Sequence, residues 1–156
     1  MRALIQRVTS TQVFAVDKGA PNKKIASIGP GMLILVGFEP SDSPVTIEQI
    51  AQKVRTLRIF PDAEGKLNLS GPEVNAEYLI VSQFTLYADC KYGNRPSFDK
   101  AAPKPMAKEF YEHFVTTFTR LIGNNTVKST PFGSYLHIDL TNDGPVTIWL
   151  DNKDVL

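Results

Sequence analysis

The sequence is poor in the residue types on which most recognisable site chemistry is built. It holds one cysteine, Cys90, and two histidines, His113 and His137, in 156 residues. A single cysteine cannot close an internal disulfide, and without a C-x-x-C neighbour it lacks the spacing of a zinc or thiol-redox motif. Cys90 also has no visible base beside it and reads as a loop thiol. The histidines are isolated, so neither a metal nor another cofactor is expected. No glycine-rich phosphate loop, dinucleotide fingerprint or G-x-S-x-G elbow is present. Charge of one sign is lacking too: the formal net charge is +1. That excludes a dominant electrostatic grip on a polyanion and leaves nucleic-acid contact to a local patch and to shape. No apolar run approaches the length of a membrane span, and residues 1–4 read as a strand rather than a signal peptide. The expected compartment is the reducing cytoplasm, with no membrane partner. Internal repeats, low-complexity tracts and linkers are absent.

What is present is a core. A composition 42% hydrophobic and 10% aromatic is ample for one globular unit, so residues 1–156 are expected to form a single domain. Residues 2–8 and 12–16 mix apolar and β-branched positions and predict two strands joined around Ser10. Residues 17–24, with Gly19, Pro21 and Asn22, predict an extended hairpin tip. Another strand starts at 25–28, and the unbroken apolar run 32–38 predicts a buried central one. Ser43-Pro44 has the form of an N-cap with proline at the first helical position, and Ile47, Ile50, Ala51, Val54 and Leu57 follow at helical spacing. Residues 58–60 are extended, 61–65 turn, and Leu67 and Leu69 alternate with polar residues up to Gly71-Pro72. Residues 78–87 predict a strand and 88–98 a loop. Phe110, Phe114, Phe118 and Leu121 mark a second amphipathic helix, from Pro105 to a stop at Gly123. The last strands are predicted at 135–140 and 145–150. Strands outnumber helices without a β-α-β rhythm. The expected fold is α+β: a strongly curved, barrel-like sheet with two main helices outside it.

Two stretches stand out as polar where a core strand should remain apolar. Ser82-Gln83-Phe84-Thr85-Leu86 follows the apolar Leu79-Ile80-Val81, and buried hydroxyls and amides without partners cost about 1–3 kcal/mol each, so such a cluster needs a local network or a ligand. Asn142-Asp143-Gly144-Pro145-Val146-Thr147 sets a Gly-Pro pair directly before an apolar strand, and X-Pro is the one bond type in which a cis peptide is affordable. Arg7 is the strand residue to watch. A Ser-His-Asp device can be drawn from Ser82, His137 and Asp139, but their spacing does not bring the pair to Ser82. Lys91, Arg95, Lys100, Lys104 and Lys108 make the segment after the first motif the most basic part of the chain, either a solvated face or a phosphate-contacting one.

Taken together, the two stretches closely resemble the paired signature of the D-aminoacyl-tRNA deacylases. The likeness extends to Leu4-Ile5-Gln6-Arg7-Val8, Arg58-Ile59-Phe60 and Arg95-Pro96-Ser97-Phe98, and so spans nearly the whole chain. It departs from the family pattern at Val127-Lys128-Ser129-Thr130-Pro131-Phe132, which lacks the glycine usual before the phenylalanine segment, and at Leu136, where methionine is common. The tip around Gly19 to Asn22 is longer than in the shortest members. The branch of the superfamily with relaxed chirality differs in both motifs.

The resemblance implies a homodimer with active sites at the subunit interface, acting on the aminoacylated 3' end of tRNA. It implies hydrolysis of the ester of D-aminoacyl-tRNA, and of glycyl-tRNA, as a chiral proofreading step in translation. Ser82, Gln83, Phe84 and Thr85 are the implied catalytic residues, with main-chain N-H groups near Gln83, Phe84 and Thr85 stabilising the oxyanion. Thr85 has no adjacent base to activate it, so it is assigned positioning. The ribose 2'-hydroxyl is the expected source of water activation. Arg7, Gly144, Pro145, Phe132 and Leu136 are the implied substrate-binding residues. A cis Gly144-Pro145 turn, supported by Arg7 and entering the partner's site, is expected to hold the α-ammonium and to block an L side chain. Two alternatives stay open: a non-catalytic nucleic-acid-binding module on this fold, and a general esterase using Ser82.

Overall fold

The computed structural model describes residues 1–16, 22–123 and 125–155. In chain order the elements are β1 (Arg2–Ala15), β2 (Lys23–Ile28), β3 (Gly31–Gly37), α1 (Pro44–Thr56), β4 (Phe60–Pro61), β5 (Leu67–Leu69), β6 (Glu77–Ser82), α2 (Lys104–Ile122), β7 (Val127–Ser129), β8 (Leu136–Asp151) and α3 (Asn152–Val155). Short 3-10 turns cover Pro72–Val74 and Phe84–Tyr87. The main sheet runs β2-β1-β3-β6-β7, with β8 paired to β1, and β4-β5 form a separate hairpin. Lys128 of β7 donates to the Ser27 carbonyl of β2 at 2.6 Å, so the two ends of that order meet and the sheet nearly closes. The fold class is α+β, as expected.

Alternation along the strands builds two cores. Met32, Ile34 and Val36 of β3 and Tyr78 and Ile80 of β6 face outward and pack beneath α1 and α2, against Ile47, Ile50, Val54, Phe114 and Phe118. The intervening Leu33, Leu79 and Val81 point inward with Val8, Val13 and Ile28. Successive strand side chains take opposite faces, so a continuous apolar run fills both layers. The predicted N-cap of α1 is present: the Ser43 hydroxyl accepts from the Thr46 amide at 3.2 Å.

Four expectations are corrected. Residues 2–16 form one strand over Arg2–Ala15 rather than two, because Ser10 lies at a bulge in the β1-β8 ladder and no turn residue reverses the chain. Likewise 135–140 and 145–150 belong to one strand, β8, which runs through the Gly-Pro pair. The strand expected over 78–87 stops at Ser82 and gives way to the 3-10 turn. A local β-α-β rhythm does exist: β3 and β6 are parallel across α1, and β6 and β7 across α2. The expected hairpin tip at 17–24 falls largely outside the described residues; Lys23 and Lys24 belong to β2.

Candidate active site

The polar end of β6 lies where the carboxyl ends of the parallel strands β3, β6 and β7 converge. The Gln83 amide donates to the Val36 carbonyl at 2.7 Å and extends the ladder by one bond. The chain then coils, with Leu86 N donating to Gln83 O (3.3 Å) and Ala88 N to Thr85 O (3.0 Å). Phe84 and Thr85 open this turn, and their own amides have no acceptor among the described residues. The Gln83 side-chain amide donates to Thr85 Oγ1 at 2.5 Å, which fixes that hydroxyl as an acceptor. Ser82 Oγ accepts from the Gly133 amide at 3.4 Å.

These residues line a cleft of about 310 Å³, which Ser82, Gln83 and Phe84 share with Phe132, Gly133 and Leu136. The cleft lies beyond the carboxyl ends of these parallel strands, and Leu136 at the start of β8 joins Val81 and Ser82 of β6 in its lining. Phe132 is positioned from behind by Tyr111, whose ring centroid is 5.7 Å away. The Tyr111 hydroxyl lies 2.8 Å from the Thr130 carbonyl and 3.1 Å from the Ile80 carbonyl. Burial pushes that phenol up from its ordinary value, against the opposing bond to Thr130, so Tyr111 is a structural donor.

The second motif sits elsewhere. Between the pairs Gln6↔Thr147 and Val8↔Asn142, β1 has only Arg7 where β8 has residues 143–146, and this surplus forms an exposed bulge with Gly144-Pro145 at its crest. The Gly144-Pro145 bond is cis. Arg7, 7% exposed, braces it from below: Nη1 donates to the Ile59 carbonyl at 2.7 Å and Nε lies 2.9 Å from Asp143 Oδ2. The second contact has ion-pair distance without hydrogen-bond alignment, since Nε finds no properly directed acceptor among the described residues. The Asn142 side-chain amide closes the base of the bulge with bonds to Arg7 O (2.8 Å) and Val146 O (3.0 Å). A Cβ on Gly144 would lie 2.8 Å from Val146 Cγ2 and 3.1 Å from Arg7 Nη2, at φ +119°.

Of the residues expected at the site, Ser82, Gln83, Phe84, Phe132 and Leu136 share one cleft. Thr85 adjoins it through Gln83. Arg7, Gly144 and Pro145 line no part of it and cluster at the bulge instead. Ser82, His137 and Asp139 do not assemble: Ser82 bonds to Gly133, and His137 Nδ1 lies 3.1 Å from Asn22 Nδ2. Sequence reasoning missed Gly37. A Cβ there would press on the Gln83 carbonyl oxygen at 2.7 Å, and the readable signal was a glycine closing a buried apolar strand.

A family model described as D-Tyr-tRNA(Tyr) deacylase matches residues 4–151. The chain belongs to this family of hydrolases. A relative from Thermosipho africanus, named "D-aminoacyl-tRNA deacylase", is 44% identical over 155 residues, with 99% of each chain covered. One of the same name from Desulfatibacillum aliphaticivorans is 44% identical over 153 residues, covering 98% of this chain and all of that one. Among solved structures, "c-Myc DNA Unwinding Element Binding Protein" aligns with a TM-score of 0.88 at 35% identity, over 97% of this chain and 98% of that chain. A "probable eukaryotic D-amino acid tRNA deacylase" shares the fold at TM-score 0.76 and 19% identity, over 96% of this chain and 97% of that chain. Among the described residues, no helix of this deacylase-family chain is long and apolar enough to cross a membrane.

Proposed function

We propose that the chain hydrolyses the ester joining a D-amino acid to the 3'-terminal adenosine of tRNA, releasing free tRNA and the D-amino acid. The observation that carries this reading is the cleft itself: the Ser82 hydroxyl and the Gln83 side chain line it with Phe132 and Leu136, and the turn that opens beside it begins with two main-chain N-H groups, of Phe84 and Thr85, that have no acceptor among the described residues, in a member of a deacylase family. A volume of about 310 Å³ suits a nucleoside-sized group at the small end of ligand cavities. The amides of Phe84 and Thr85 act as preorganised donors to the oxyanion of the tetrahedral intermediate, where losing one donor typically costs about 100- to 1000-fold. Phe132 and Leu136 hold the terminal adenosine, and Thr85 positions. Neither Ser82 nor Thr85 is hydrogen-bonded to a base among the described residues, so the attacking water takes its activation from the ribose 2'-hydroxyl.

On this reading the enzyme is a cytoplasmic homodimer. The Gly144-Pro145 crest of one subunit enters the cleft of the other, meets the α-ammonium and walls off an L side chain, so that discrimination is by exclusion. A D side chain points to solvent, and glycine has no side chain to exclude, so glycyl-tRNA is a substrate. The motif separation within one chain supports this arrangement, as does the exposed position of the crest. Activity should fall on dilution in step with dissociation measured by light scattering; full activity in a monomeric sample removes the cross-subunit claim.

A second reading rests on the 35%-identical structure named for DNA-element binding: a nucleic-acid-binding module without hydrolysis. Incubation with D-tyrosyl-tRNA and L-tyrosyl-tRNA separates the two. D-selective release supports the deacylase, binding without release supports the module, and cleavage of small activated esters without tRNA revives the esterase.

A further inference from the structure

Five cationic residues follow the cleft-forming turn, and the structure treats them unequally. Lys100 pairs with Asp89 at 2.7 Å and Lys108 with Glu112 at 3.7 Å, while Lys91 lies 5.1 Å above the Tyr92 ring. The Asp89 carboxyl is held below its ordinary range chiefly by the Lys100 hydrogen bond, so that pair is closed on itself. Arg95 and Lys104 have no acidic partner among the described residues. Arg95 stands on the exposed loop. Lys104 instead opens α2 and lies over Gly133, with Cε and Nζ 3.6 and 3.9 Å from where a Cβ on that glycine would be. The same Gly133 donates its amide to Ser82 Oγ.

Lys104 also borders a second pocket, of about 390 Å³, formed with Phe84, Phe98, Ala101, Phe132 and Gly133. Phe84, Phe132 and Gly133 line both this pocket and the catalytic cleft, so the two adjoin. Phe84 is 57% exposed, and Phe98 meets it edge to face at 4.9 Å. Asp99, which follows Phe98 in the chain, is engaged by the Ser97 hydroxyl at 2.7 Å. An exposed aromatic ring, Phe84, backed by the half-buried Phe98 and set beside a cation without an acidic partner among the described residues, has the chemistry of a single-stranded nucleotide subsite: a π-face for a base and a point charge for a phosphate.

We propose that this pocket holds the penultimate nucleotide of the tRNA 3' end, with the phosphate linking it to the terminal adenosine on Lys104 Nζ and its base against Phe98 and Phe84. This rests on the deacylase reading, and it makes Lys104 a positioning residue that acts only on substrates carrying that phosphate.

The test compares three D-tyrosyl esters: of adenosine, of the dinucleotide CpA, and of full tRNA. Lys104→Ala should lower kcat/KM about fivefold on the dinucleotide and the tRNA, through KM. It should match the wild type on the phosphate-free ester. Its salt dependence on the dinucleotide should be shallower by about 0.7 in logarithmic slope, the value for one single-strand phosphate contact, and Lys104→Arg should restore both. Equal loss on the adenosine ester would mean that Lys104 merely props Gly133, which overturns the proposal. So would an undiminished dinucleotide rate, or an equal loss in Lys108→Gln, which would point to a diffuse field. A wild type that cleaves none of the three esters overturns the deacylase reading itself.

Discussion

Gly37 sits beneath Gln83 so closely that a Cβ at position 37 would lie 2.7 Å from the Gln83 carbonyl oxygen, and 3.3 Å from Leu86 Cβ. The glycine is therefore the seat on which the cleft-forming turn rests. Gly37→Ala should push Gln83 and the Phe84 and Thr85 amides out of position. We expect a loss of about 1–3 kcal/mol in stability, in the range of overpacked cores, and at least a tenfold loss of kcat/KM, in line with displaced oxyanion donors. Gly29→Ala is the control, since a Cβ there meets only Glu77 Oε1 at 3.8 Å. Equal behaviour of the two variants in thermal unfolding and turnover would remove the seat.

Alkaline pH should unfold the protein through its buried phenols. Burial pushes Tyr78 up to about 12, with Arg55 opposing. Burial also raises Tyr87, reinforced by Asp42, and raises Tyr111. Below pH 10 these phenols are protonated in both folded and unfolded chains, and their contribution is complete. Above it the unfolded chain releases protons that the folded chain retains, so stability falls toward pH 12, by up to about 1.4 kcal/mol per pH unit for each phenol. Tyr78 separates the effects, because its hydroxyl has no partner among the described residues while its ring packs edge-on to Phe118 at 5.2 Å. Tyr78→Phe keeps the ring and removes an unsatisfied buried group, so the melting temperature should hold at pH 7 and rise relative to wild type at pH 11. A loss above about 2 kcal/mol at pH 7 would show that the hydroxyl is satisfied.

The parts of the fold legible in the sequence are those with strong local signals. Ser43-Pro44 announces α1, the Phe110-Phe114-Phe118 stripe announces α2, and the apolar run 32–38 announces β3. What escaped is determined by distant partners. Val127–Ser129 is too short and polar to show a period, and it is a strand only because β6 pairs with it in parallel. Gly144-Pro145 looks like punctuation between two strands, yet the ladder closes on both sides of it because the surplus residues bulge outward. Phe84–Tyr87 has strand-like composition but leaves the sheet once β3 ends. No local pattern encodes the separation of the two motifs within one chain; it entered the expectation only through the family resemblance, which sends Gly144-Pro145 into the partner's site.

Substrate-assisted activation has its own test. Thr85 Oγ1 already accepts the Gln83 side-chain amide at 2.5 Å, a state suited to positioning rather than attack. D-tyrosyl-tRNA ending in 2'-deoxyadenosine should bind normally and turn over at least about 100-fold more slowly, the scale of a lost general acid-base group. Thr85→Ala should retain measurable single-turnover chemistry. Unchanged turnover on the deoxy substrate refutes the assignment, and a Thr85→Ala variant that binds without any chemistry points to Thr85 as nucleophile.

The chirality reading is tested at Gly144 and Arg7. Gly144 is exposed, but at φ +119° an added methyl would meet Val146 Cγ2, the Val146 amide nitrogen and Arg7 Nη2 at 2.8, 3.0 and 3.1 Å. The crest must therefore shift while the barrel stands. Gly144→Ala should cost about 1–2 kcal/mol in stability, a strained positive-φ substitution, yet reduce D-tyrosyl-tRNA turnover about 100-fold or more. Arg7→Ala removes the bond to the Ile59 carbonyl and the charge beside Asp143, and should lower both stability and D-substrate activity. Arg7→Lys should rescue only in part, because an ammonium cannot span both contacts as the guanidinium does. The decisive measurement is the ratio of D- to L-tyrosyl-tRNA cleavage alongside the melting temperature. A crest that forms the wall predicts a falling ratio in all three variants, out of proportion to their stability losses. If the D and L rates fall together, in step with melting temperature, then Gly144 and Arg7 support the fold alone and the wall lies elsewhere.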